Sequence, residues 1–94
     1  MIRIVKLSLH AENGPAFESF FAETKPFITS MPGCKSVRLL KGDDAGLYFT
    51  YSEWEHQEAL DAYRNHPEFL VIWRKTKSWF QLPAEAWSVE DTLL

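Results

Sequence analysis

Phe17, Phe20, Phe21, Thr24, Phe27, Ile28 and Met31 recur at steps of three and four residues, the spacing of a helix with one apolar side. Four phenylalanines on one stripe need a broad apolar surface to pack on, and the flanking segments supply it. Residues 2–10 alternate, with Val5, Leu7 and Leu9 on one face and Lys6, Ser8 and His10 on the other, which predicts a first strand. Asn13-Gly14-Pro15 breaks that strand, and Pro15 suits a first helical turn. Pro26 lies inside the stripe and removes a backbone donor, so a kink or a broken final turn is expected before Pro32-Gly33 ends the helix.

Lys35 to Lys41 reads as a second strand, joined through Gly42-Asp43-Asp44-Ala45-Gly46 to a third, Leu47 to Trp54. In the third, Leu47, Phe49 and Tyr51 alternate with Tyr48, Thr50 and Ser52. Both faces carry rings or β-branched residues, so the sheet is expected to be covered on both sides. From His56 to Tyr63 the pattern is helical, with Ala59, Leu60 and Tyr63 on one side. Asn65-His66-Pro67 interrupts it, and Pro67-Glu68 opens a new helix with a carboxylate in its first turn. Its stripe is Phe69, Ile72, Trp73, Thr76, Trp79 and Phe80. Pro83 is expected to close this segment, and a last strand to run from Ala86 to Glu90. The order β-α-β-β-α-β predicts an α+β, ferredoxin-like fold. It is a four-stranded antiparallel sheet with the helices on one face, one domain over residues 1–94.

Seven Phe, four Trp and three Tyr make up 15% of the chain. A domain of this length buries about 60–65% of its unfolded surface, and that core needs fewer rings. The surplus points to an aromatic-lined cavity or to an apolar surface covered by a second copy of the chain. A net charge of −3 gives no basic excess for nucleic acid. The apolar runs are too short to span a membrane, no signal peptide is evident, and the single Cys34 forms no disulfide pair. The cytoplasm is the expected location.

His10, His56 and His66 share no ligand spacing, so no metal is expected, and there is no glycine-rich phosphate loop. Cys34 follows Pro-Gly at the mouth of a strand, where a small buried filler is the plainer reading than a nucleophile. The remaining chemistry is aromatic. If the second helix packs over the sheet, Trp54, Tyr63, Phe69 and Trp73 can share one volume with side chains of the third strand such as Phe49. A ring-lined pocket of this kind suits a flat aromatic or quinol-like ligand. His66 could act as base and Tyr63 could orient an oxygen, while Arg38 and Arg64 could hold an anion. Each ring also suits a plain core, and each arginine a solvated surface. Glu53, Glu55 and Glu58 read as helix-start charges.

Pro32-Gly33-Cys34 leading into a strand, Trp54-Glu55 followed by Glu58-Ala59-Leu60, Tyr63-Arg64, Phe69, Trp73, and the closing Phe80-x-x-Pro83-x-x-Ala86 form a pattern over nearly the whole chain. It resembles the antibiotic biosynthesis monooxygenase-like domain of the dimeric α+β-barrel superfamily. The resemblance implies two sheets joined into a barrel across a two-fold axis, helices outside, and a pocket between each sheet and its helices. It also implies cofactor-independent oxygenases whose substrate carbanion itself reduces dioxygen, on a scaffold that hosts many chemistries. A haem-degrading branch uses an Asn, a Trp and a His. Those positions fall near Leu7 and at Tyr63 and Trp73, and none matches, which disfavours haem cleavage.

The resulting expectation is a cytoplasmic homodimer with no cofactor, oxidising a small aromatic or enolisable metabolite. Tyr63 and His66 are its expected catalytic pair, and Trp54, Phe69, Trp73, Phe49 and Arg38 its expected substrate contacts. The alternatives are a non-catalytic dimeric module for a small apolar ligand and an isomerase on the same scaffold.

Overall fold

A computed structural model describes residues 1–94. Strand β1 (Ile2–Leu9) leads through a single 3-10 turn, Ala11–Asn13, into helix α1 (Gly14–Ser30). Strands β2 (Cys34–Lys41) and β3 (Leu47–Trp54) form the hairpin. Helices α2 (Gln57–Arg64) and α3 (Pro67–Lys77) precede strand β4 (Phe80–Val89). The four strands make one sheet in the order β2-β3-β1-β4, every pair antiparallel. This is the ferredoxin-like α+β plan with the second helix divided in two.

The parity of the strands decides which face the helices cover. Leu7 and Leu9 of β1, Val37 of β2 and Tyr48 and Trp54 of β3 are buried in one cluster. Phe17, Phe21 and Ile28 of α1 and Ala59, Leu60 and Tyr63 of α2 complete it. Gly14 starts α1 against this face because a Cβ there would lie 2.9 Å from the Tyr48 hydroxyl. Gly33 has φ +83°, and a Cβ on it would meet the Ala59 Cβ at 2.5 Å. A glycine alone allows both the left-handed turn and the close approach of α2 to the start of β2.

Two sequence expectations need correction. Pro26 does not break the final turn, since α1 runs on to Ser30. Pro83 does not close a segment either. It lies inside β4, which begins at Phe80, so the last strand starts six residues before Ala86. β4 is an edge strand, where a missing N–H is tolerated. The pairing with β1 shifts register there, between Lys6↔Glu85 and Ser8↔Leu82. Trp79 and Phe80 consequently leave the α3 stripe. The Ser78 N–H reaches back to the carbonyls of Arg74 and Lys75, and the chain then turns into the strand.

Candidate functional site

The helices do not fill the space above the sheet. A cavity of about 300 Å³ remains between them, with 15 of its 21 lining residues hydrophobic. Its origin is steric. The floor is built from side chains without rings, Val5 and Leu7 of β1 between the smaller Thr50 and Ser52 of β3 and Ala84 and Ala86 of β4, while large rings stand at its sides. Those rings form a connected series. Tyr63 stacks on Trp54 at 5.4 Å between centroids, meets Phe69 edge-on at 4.9 Å, and Phe69 lies parallel to Trp73 at 6.0 Å.

Most hydroxyls around the cavity are already committed. Trp54 Nε1 donates to Ser52 Oγ at 3.0 Å, Thr76 Oγ1 donates to the Ile72 carbonyl, and Thr24 Oγ1 to the Phe21 carbonyl. The Tyr63 side chain, 9% exposed, makes no such bond, yet no buried polar atom is sealed off without a partner. Its hydroxyl is therefore not sealed off from solvent, and no group of the chain holds it by a hydrogen bond. Burial, with a smaller contribution from Cys34, pushes the Tyr63 phenol well above its usual range, so it stays protonated and acts as a donor. Burial likewise raises the Cys34 thiol, which leaves it a poor nucleophile.

The structure gathers Trp54, Tyr63, Phe69 and Trp73 on the cavity wall. It does not bring the other expected residues there. Phe49 and Arg38 lie on the opposite face of the sheet, since the buried parity of β3 is that of Tyr48 and Trp54. Arg38 spreads its guanidinium over the Tyr51 ring at 5.0 Å. His66 caps α3: its Nδ1 accepts the Glu68 N–H at 3.0 Å and its ring packs edge-on against Phe27. No carboxylate or imidazole lines the cavity. No cluster of three His, Cys, Asp or Glu side chains is arranged to hold a metal ion.

His66→Ala is thus expected to cost about 1 kcal/mol of stability through the lost cap, read by urea unfolding, while changing turnover by less than about threefold. A hundredfold loss of turnover would restore His66 as the base.

Sequence reading missed Arg3, Phe20 and Phe21 as cavity residues. Arg3 shares the parity of Val5, Leu7 and Leu9, and that signal was available. The two phenylalanines were absorbed into the helix stripe.

The phenols also set an alkaline limit. Burial first, then the 2.5 Å hydrogen bond to Glu18, pushes the Tyr48 phenol up to about 12, and Tyr63 moves the same way. With folded values raised, the stabilisation is fully present below the ordinary phenol value of about 10. It is lost as pH rises from there through the folded values. Tm should hold to about pH 9 and fall steeply above about pH 10, while phenolate absorbance rises. A flat Tm to about pH 12 would contradict this assignment.

Fold and cavity define a class: ferredoxin-like α+β chains that enclose a small-molecule-sized space between sheet and helices. The family model described as antibiotic biosynthesis monooxygenase matches residues 1–75, and the chain belongs to that family. Solved structures agree in fold. SnoaB, a cofactor-independent oxygenase from Streptomyces nogalater solved as a mutant, is 22% identical, with a TM-score of 0.82 over 98% of this chain and 94% of that one. An antibiotic biosynthesis monooxygenase reaches a TM-score of 0.87 at 15% identity, covering 98% and 99%. Rv0793 from Mycobacterium tuberculosis reaches 0.81 at 17% identity, covering 96% and 94%. No curated protein matches the sequence. No helix is long and apolar enough to cross a membrane.

Proposed function

We propose that this chain is a cofactor-independent monooxygenase acting on a small aromatic or enolisable metabolite. The observation that carries the reading is the ring-walled cavity with one unengaged phenol, Tyr63, in a member of this family. With an anthrone as probe, the reactive CH₂ carbon loses a proton to water at the cavity mouth. Tyr63 donates a hydrogen bond to the oxygen of the resulting enolate. The carbanion passes an electron to dioxygen, and the radical pair joins in a C–O bond as a peroxide anion, which takes a proton from water to become the hydroperoxide. Loss of the second proton with O–O cleavage gives the ketone and water. The apolar walls keep bulk water from the carbanion. A base-free wall selects substrates acidic enough to ionise against water.

Oxygen uptake in air with anthrone, a quinol or a catechol tests this. Uptake well above the uncatalysed rate is expected, and its absence for all three would remove the enzyme reading. The lack of any carboxylate or imidazole on the wall favours a second reading, a small-ligand-binding module, which would bind these probes without uptake. Turnover without oxygen consumption would indicate an isomerase.

The reading includes a homodimer. The sheet face turned away from the helices carries Phe49 and Tyr51, with Leu40 at 41%, Trp87 at 45% and Val89 at 39% exposure. A second sheet packed on it would bury these side chains. Light scattering should give twice 10.9 kDa, and Trp87→Asp should shift the mass to one copy. A wild-type mass of 10.9 kDa at micromolar concentration would overturn the dimer. The lone thiol, Cys34, suits the reducing cytoplasm proposed as its location.

A further inference from the structure

Arg3 and Arg64 both line the cavity, one from β1 and one from the last turn of α2. Arg3 is flanked in register by two serines, Ser52 and Ser88, so no bulky neighbour covers its guanidinium. One of its N–H groups donates to Ser88 Oγ at 3.1 Å, which fixes the side chain and leaves other donors free. Neither arginine belongs to any of the four ion pairs of the structure. The two charges are close enough that Arg64, after burial, lowers the Arg3 guanidinium, with Asp61 opposing. Asp61 is itself engaged by Gln57 Nε2 at 2.9 Å. Two like charges therefore line one apolar cavity with no carboxylate of the chain in ion-pair contact with either, Asp61 acting on Arg3 only at longer range.

We infer that the cavity's ligand is an aromatic carboxylate, its ring among Trp54, Tyr63, Phe69 and Trp73 and its carboxylate held by Arg3 and Arg64. This inference rests on the cavity being the binding site. A planar guanidinium presents paired donors at the spacing of carboxylate oxygens, which a surface ammonium does not. Arg64 is exposed, so the anion enters from that side and keeps partial contact with water. The volume, at the lower end of the roughly 300–1,000 Å³ of ligand pockets, restricts the ligand to a small ring system. The anion also relieves the repulsion between the two arginines, which gives the charged ligand an advantage that a neutral ring lacks.

Calorimetric titration of the full chain with 2-naphthoate and with its neutral counterpart 2-naphthylmethanol tests the inference. Naphthoate should bind about tenfold or more tightly, with the difference shrinking as salt is added. Arg64→Gln and Arg3→Gln should each remove most of that preference while leaving naphthylmethanol affinity unchanged. Arg64→Lys should keep part of it, and Arg38→Gln, on the far face of the sheet, should keep all of it. Equal affinity of the two probes would overturn the carboxylate assignment and leave the cavity as the binding site. Binding of neither probe would overturn both.

Discussion

Trp54→Ala is expected to lower the unfolding free energy by about 3–5 kcal/mol, a large share of what a small domain possesses. The side chain is 1% exposed and among the largest the fold buries completely. Three losses combine at this position. The indole area returns to water or to void, the stacking on Tyr63 disappears, and Ser52 Oγ loses the donor it accepts from. The void would open directly into the existing cavity, so neighbours have little reason to collapse into it. Trp54→Phe should retain the stacking but not the indole hydrogen bond, and cost about 1–2 kcal/mol. Urea unfolding followed by circular dichroism decides between these outcomes. A loss below about 1 kcal/mol for the alanine variant would mean that Trp54 is a dispensable wall.

That dual position, core and cavity wall at once, explains how much of the site was legible in the sequence. The Trp54, Tyr63, Phe69 and Trp73 set follows from strand and helix phase, because burial and cavity lining draw on the same apolar parity. The orientation of β3 does not follow. Leu47, Phe49 and Tyr51 are as apolar as Tyr48, Thr50 and Ser52, and alternation alone cannot say which set the helices cover. Phe49 and Arg38 were misplaced for that reason. His66 was misplaced for another: a histidine before Pro-Glu has the signature of a helix cap as well as of a base, and only the Glu68 N–H contact separates them. The C-terminal boundary failed because Trp79 and Phe80 continue the helical phase of Thr76 in sequence while the backbone has already turned. Arg3 shows the reverse case. A charged residue at a core parity position is informative, and here it marks the end of the strand where the cavity becomes polar.

Tyr63→Phe should reduce anthrone-dependent oxygen uptake by about a hundredfold while leaving KM within about threefold. The hydroxyl makes no hydrogen bond inside the chain, and the phenol stays protonated through the neutral range. A hydrogen bond from it strengthens as the substrate oxygen gains negative charge, so its contribution belongs to the transition state more than to binding. The same substitution removes a hydroxyl that makes no hydrogen bond in the fold, so Tm should stay level or rise slightly. A loss of turnover without a loss of stability therefore separates chemistry from packing at this residue. The wild-type rate should also show no inflection below about pH 10 from this phenol, because the form that donates is the only one populated there. Unchanged turnover in the variant would leave Tyr63 as a stacking partner of Trp54. The cavity would then bind its ligand without directing the reaction of that ligand with oxygen.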